Sequence, residues 1–330
     1  MKKITKGVLA CISTVILLLV VFVWAVNTGT IRLTASQLFR GLFIAFDQNV
    51  ATVYDLRFPR IIISMLAGAA LAVSGVLFQS VLKNPLTDPG VIGISGGAGF
   101  AAVVFTAACP SFYGFTPLAA FLGGVAAFVI VYSLSWKGGL SPMRIILVGV
   151  AVSTMFSGLS SAFHSMSGGN FTGVASIVEG NISMKTWEDV WVILRYIPVT
   201  LVVSWFFAGK CNLMALDDKT ARGIGVNVDR VRIVISMIAV LLASVATAVV
   251  GIVSFVGLLV PHIARIFVES DHRILIPYSM VLGALVFLLA DTIGRSIMPP
   301  YEISASVIMS IVGGPFFILL LKGQSQKSVR

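Results

Sequence analysis

Four polar residues recur at helical spacing within an apolar stretch: Ser153, Ser157, Ser160 and His164, separated by four, three and four positions. On an α-helix these steps put all four on one face, and Thr154 and Ser161 widen it. A hydroxyl face of this kind can line a path for a polar cargo through a membrane. It can also serve packing, because small hydroxyl residues let helices approach and bond back to their own carbonyls. The acidic residues point away from ion coupling. Nearly all of the 13 Asp and Glu fall in polar joints, and only Asp291 lies inside an apolar run. It sits four residues before Arg295, a spacing that suits a helical ion pair better than a proton relay. No G-x-x-x-x-G-K-[ST] occurs, so the chain has no phosphate-cradling loop of its own. Cys11, Cys109 and Cys211 stand far apart and suggest neither a metal site nor a disulfide framework. The residues therefore offer no catalytic set and no metal site, and any energy for transport has to come from another chain.

The elements that position the serine face are membrane spans. Of the 330 residues, 58% are hydrophobic and 11% charged, against about 25% charged in a soluble protein. A hydrocarbon core of about 30 Å needs roughly 20 helical residues. The apolar runs predict ten spans, near 8–26, 61–82, 91–109, 117–136, 145–166, 189–209, 233–250, 254–268, 274–294 and 303–321. The stretch 233–268 is too long for one crossing, and Gly251, Gly257 and Pro261 offer a break. The run after Lys2, Lys3 and Lys6 exceeds a signal-peptide core and reads as an uncleaved first span. The net charge of +10 is spread through the joints, which excludes a nucleic-acid patch and reports topology instead. With the N-terminus inside, most of the 23 Lys and Arg fall on the inner side, as the positive-inside rule expects, and both termini are cytoplasmic.

Residues 1–330 read as one transmembrane domain. Arg60 to Met65 (RIIISM) nearly recurs as Arg232 to Met237 (RIVISM), and five intervening spans place the two copies on opposite sides. This predicts inverted repeats over about 60–166 and 232–321, an architecture common among transporters. The longest inner joint, Lys210 to Arg232, suits either an interfacial helix or a docking site for an energy-supplying partner. Within it Asp217 can cap a short helix, Gly223 or Gly225 can end it, and Asn227 can start another.

At this point several segments resemble a known family. Leu56 to Arg60 (LRFPR), Gly68 to Gln79 (GAALAVSGVLFQ), Asn84 to Gly99 (NPLTDPGVIGISGGAG), Ala221 to Val226 (ARGIGV), Phe255 to Arg265 (FVGLLVPHIAR), Asp271 to Arg273 (DHR) and Gly313 to Phe316 (GGPF) are similar to the FecCD-type permease. These are the membrane subunits of ABC importers for iron-siderophores, haem and vitamin B12. The resemblance implies an all-α integral membrane fold of the type II ABC importer permease. It implies a dimer with itself or a similar permease, two cytoplasmic ATPases that hold ATP and Mg, and one extracytoplasmic binding protein. This chain would hold no cofactor and would lie in the cytoplasmic membrane of a prokaryote.

Carried onto this sequence, the resemblance makes residues 211–230 the ATPase-coupling segment, with Asp217, Asp218, Ala221, Arg222, Gly223 and Gly225. It makes Arg57, Arg60 and Arg295 docking residues for glutamates of the binding protein, although Arg57 and Arg60 could anchor a helix at headgroups and Arg295 could serve only Asp291. It agrees with Ser153, Ser157, Ser160 and His164 lining the path. His164, beside Met166, could momentarily ligate haem iron or simply find a hydrogen-bond partner. Leu140, Ser141, Pro142 and Met143 match the cytoplasmic gate of cobalamin members, from whose small hydroxyl pattern Pro142 departs.

Two rivals are kept. Gly93-Ile-Ser95-Gly96 fits the G-x-S-G of rhomboid-type proteases, though neither His262 nor His164 suits a dyad with Ser95. An ion-coupled transporter would move solute without an ATPase. The expectation is a permease for an iron chelate, haem or ferric siderophore, with cobalamin as the alternative cargo.

Overall fold

A backbone in lipid must satisfy its own N–H and C=O groups, so apolar runs of this length have to be helical. The computed structural model describes residues 2–29, 44–135, 142–166, 172–298 and 301–328, with residues 31, 33, 34, 36, 37, 40 and 41. Among these the regular structure is helical throughout. The α-helices are α1 (Lys2–Asn27), α2 (Gln48–Leu56), α3 (Phe58–Val81), α4 (Ile94–Ala108), α5 (Thr116–Ser135), α6 (Pro142–Met166) and α7 (Thr172–Glu179). They continue with α8 (Trp187–Phe206), α9 (Ala208–Met214), α10 (Asp218–Gly223), α11 (Val228–Val250), α12 (Val256–Val268), α13 (His272–Ile297) and α14 (Ala305–Ser328). A 3₁₀ segment, Pro110–Phe115, leads into α5.

Among the described residues eight stretches are long and apolar enough to cross a membrane, and α4 and α12 are shorter apolar helices. Together they account for the ten expected spans, including the division of 233–268. The 15 residues of α4 and 13 of α12 reach only about 20 Å at 1.5 Å per residue. Each is preceded by irregular backbone, residues 82–93 and 251–255. These two segments meet. The Asp88 carboxylate accepts from the N–H groups of Gly90 (2.8 Å) and Val91 (3.1 Å) in its own loop, and from Phe255 and Gly257 at the start of α12. Gln79 donates to the Gly257 carbonyl at 3.1 Å. Buried loop backbone is tolerated here because side chains supply the missing partners.

The central helix is α3, flanked by α11, α12 and α13. Glycine allows the crossings to be this close. A Cβ on Gly75 would stand 2.0 Å from the Gly257 carbonyl oxygen, and one on Gly68 2.3 Å from that of Gly283. The two arginine-headed helices run antiparallel. Arg60, at the start of α3, meets Glu302, while Lys83, just past its end, meets Asp218, which in turn meets Arg232 at the start of α11. Ser74 ties them together midway by donating to the Ala239 carbonyl at 2.8 Å. By contrast α1, α6 and α14 bury little of their apolar surface in this chain and leave it for lipid or another subunit.

Among the described residues three helices were not expected, α2, α7 and α9. All are short, at 9, 8 and 7 residues, and lie mostly or wholly in the joints between the expected spans. Asp47 caps α2 by accepting from Asn49 N and Val50 N.

Candidate functional site

Between α4, α6, α7, the 251–255 break and α14 lies a cavity of about 550 Å³. Its polar wall comes from Ser157, Ser160 and Ser161 of α6, Ser254 of the break, Ser306 and Ser310 of α14, and Glu179 of α7. Gly99, Val103, Ile177, Val178, Ile252, Val307 and Ile311 complete it. Ser160 and Ser310 donate to their own helices, to the carbonyls of Phe156 and Ser306. A hydroxyl so engaged keeps its lone pairs as acceptors.

The expected serine face is thus divided by depth. Ser157 and Ser160 reach the cavity. Ser153 donates to the Gly90 carbonyl at 3.3 Å, where α6 presses on the loop before α4. A Cβ on Gly149 would lie 2.6 Å from Ile92 Cα, so the contact depends on glycine. His164 is half-buried, and the cavity wall does not include it. Sequence reading missed Glu179, Ser254, Ser306 and Ser310. The two α14 serines do share a helical spacing of four, but Glu179 and Ser254 carry no periodic signal. The chain brings them to one wall through contacts that sequence distance hides.

One end of the bundle holds a buried charge cluster. Arg60 donates to both Asp291 oxygens, from Nε at 3.0 and 3.1 Å and from a terminal nitrogen at 2.8 Å. Its other terminal nitrogen reaches Glu302 at 2.7 Å. Arg295 approaches Asp291 at 3.4 Å and donates to the Ala25 carbonyl at 3.4 Å. Asp291 is 0% exposed, Arg60 5% and Arg295 9%. The expected Asp291–Arg295 pair therefore exists but is the weaker one, and the stronger partner comes from 231 residues away. Arg60 and Arg295 turn inward to carboxylates of this chain, Arg295 to the Asp291 that was the alternative partner expected for it. Arg57 is half-buried and donates to the carbonyls of Val26 and Ile31, the latter at 2.8 Å. Burial pushes the Glu302 carboxyl up, but hydrogen bonds from Ser183 and Arg60 outweigh it and hold the group below its usual range.

The opposite end carries the 211–230 segment. Asp217 caps α10 by accepting from Lys219 N at 3.2 Å, and Asn227 caps α11 by accepting from Arg230 N at 3.0 Å, as expected. Gly225, at φ 83°, makes the turn between them. Ala221 is buried, whereas Asp217, Arg222, Gly223 and Gly225 face outward together with Ile224, which is 59% exposed. Asp218 turns the other way. It accepts from Lys83 at 2.7 Å and Arg232 at 3.1 Å, and these bonds, the one from Lys83 first, hold its carboxyl below the usual range. Among the expected gate residues, Leu140 and Ser141 lie outside the described residues, Pro142 begins α6, and Met143 is exposed.

The Ser95 hydroxyl is buried with no hydrogen-bond partner among the described residues, so no histidine is placed to activate it. Taken together, the helical bundle, the hydroxyl-lined cavity and the exposed 211–230 segment suit a membrane permease. A sequence model of the FecCD transport family matches residues 17–323, and the chain belongs to that family. It is 39% identical over 301 residues, 91% of each chain, to IsdF of Staphylococcus aureus (strain Newman), named a probable heme-iron transport system permease. It is 37% identical over 331 residues to FhuG, the iron(3+)-hydroxamate import system permease of Bacillus subtilis (strain 168), across 97% of this chain and 98% of that one. A solved metal-chelate type ABC transporter in an inward-facing conformation superposes with a TM-score of 0.77 at 24% identity, over 96% of this chain and 99% of that one. The protein is accordingly a transport subunit rather than an enzyme. A permease of this family works with ATPase and substrate-binding partners.

Proposed function

We propose that this chain is the membrane permease of an ATP-driven importer that carries an iron chelate, haem or a ferric siderophore, across the cytoplasmic membrane of a bacterium. The relatives named above carry heme-iron and iron(3+)-hydroxamate, which favours iron cargo over cobalamin. The observation that carries the reading is the serine-lined cavity, which is walled in part by the 251–255 break and offers hydrogen bonds.

In this reading the permease pairs with itself or a similar chain through faces such as those of α6 and α14 that the single chain leaves bare. Two ATPases, which hold the ATP and Mg, dock on the outward side of residues 211–230 through Arg222, Gly223 and Ile224. Asp218 acts there as the internal anchor. A binding protein docks at the Arg57, Arg60 and Arg295 end, where Arg60 and Arg295 pair with Asp291 and Glu302 while Arg57 is held by backbone carbonyls and its positive charge can attract an acidic partner. Both termini then lie in the cytoplasm. Inverted repeats over 60–166 and 232–321 fit the antiparallel course of α3 and α11.

Reconstitution tests this directly. Liposomes holding the chain with its ATPase and loaded binding protein accumulate radioiron only with ATP. Accumulation by the chain alone under a proton or sodium gradient overturns the reading.

A further inference from the structure

Glu179 is a poor structural residue where it stands. It is the last residue of α7, where the carbonyl end of a helix disfavours negative charge. Among the described residues no hydrogen bond or ion pair engages it, yet its side chain forms part of the cavity wall. The backbone holds it there. Gly180 turns at φ 62°, and a Cβ on it would lie 2.7 Å from Ser306 Oγ. Gly251 packs against the other side, where a Cβ would be 2.6 Å from Gly180 Cα. The backbone beside Glu179 is thus fixed between the break and α14, while Glu179 itself is exposed and lines the cavity.

The other polar groups on that wall are six serine hydroxyls. The described lining contains no Lys, Arg, His, Cys, Met or Tyr. It therefore offers nothing to neutralise an anionic cargo and no nitrogen, sulfur or phenolate ligand for an open iron position. Hydroxyls suit a chelate that presents carbonyl and hydroxamate oxygens and amide N–H groups.

We propose that this cavity selects for neutral or positively charged ferric trihydroxamates, whose iron is already fully coordinated, over haem with its two propionates and over trianionic ferric tricatecholates. This rests on the importer reading above and names its cargo class. Glu179 acts as the specificity-determining charge, attracting a cationic chelate and repelling anionic ones, while Ser157, Ser306 and Ser310 bond to the chelate's backbone.

The test uses cells whose only route for ferric chelates is this importer with its own ATPase and binding protein. Radioiron accumulation is measured from a trihydroxamate bearing a free ammonium and from a neutral trihydroxamate. Their uptake ratio cancels differences in transporter level and in docking. In Glu179→Lys the cationic-to-neutral ratio is expected to fall about tenfold, and in Glu179→Gln about threefold, the scale of one charge pair across a water-filled cavity. If Glu179→Lys fails to reach the membrane, Glu179→Gln carries the measurement. An unchanged ratio in the variant measured overturns the proposal, as does a wild type that takes iron from haem or a ferric tricatecholate as fast as from the trihydroxamates. A wild type that accumulates iron from no chelate overturns the importer reading itself.

Discussion

The two charged ends of the bundle begin alike and are built differently. Arg60 opens α3 and Arg232 opens α11 in nearly the same local sequence, RIIISM and RIVISM. At one end the partner, Asp291, is fully buried; at the other, Asp218 is half-exposed and shared with Lys83. The contrast teaches that a repeated arginine does not carry a repeated energy. In the buried cluster each charge depends on its partners, because removing one strands the others in a medium of low polarisability. At the exposed end water substitutes for a lost partner, and the ion pairs fix geometry more than stability.

The sharpest way to break this comparison is Asp291→Ala, which strands Arg60 and Arg295. A loss of about 3–5 kcal/mol is expected, seen as a large drop in the melting temperature of the detergent-solubilised protein; a drop no larger than that of Asp218→Asn would end the distinction. Next in size, Gly75→Ala forces a Cβ against the Gly257 carbonyl and should cost about 1–3 kcal/mol by overpacking. The control is Gly223→Ala at the exposed end, where a Cβ meets nothing within 4 Å and the melting temperature should hardly move.

Glu302→Gln removes Arg60's second carboxylate while keeping its shape, and a loss of about 1–2 kcal/mol follows from weakening a charge-assisted bond. Smallest is Asp218→Asn, at about 1 kcal/mol or less. Its larger effect should fall on ATPase stimulation by loaded binding protein, since α10 loses its tie to Lys83 and Arg232. Coupling that survives intact removes Asp218 from the anchoring role.

Acidification separates the ends again. Glu302 and Asp218 both have depressed carboxyls, so their contributions are present above the ordinary carboxylate range and lost as pH falls through the depressed values. Melting temperature should therefore hold above about pH 5 and decline below about pH 4. Glu302→Gln should flatten that decline more than Asp218→Asn, because Glu302 pairs with the buried Arg60 whereas the nearest partner of Asp218, Lys83, is half-exposed.

Much of the scaffold was legible because lipid enforces it. Ten apolar runs, the interruption at 251–255, and the Asp217 and Asn227 caps follow from hydropathy, from glycine and proline, and from short polar side chains beside unpaired N–H groups. Ser157 and Ser160 were visible as cavity residues because helical periodicity is a local rule. Ser153 kept the same period yet met the Gly90 carbonyl instead, since period gives a face and not a depth.

The remaining features depend on contacts between distant segments. Asp291 pairs with Arg60 rather than chiefly with Arg295, because α13 packs on α3 through Gly283 and Gly68 and brings the two charges together. Glu179 and Ser254 join the cavity only because Gly180 and Gly251 touch. Composition and periodicity alone determined that this is a helical membrane protein with a hydroxyl face, and the motif resemblance is what pointed to a permease. Tertiary packing decided which charges are buried, which serines line the cavity and where a lone carboxylate stands, because burial and pairing energies are set by neighbours in space and not by neighbours in the chain.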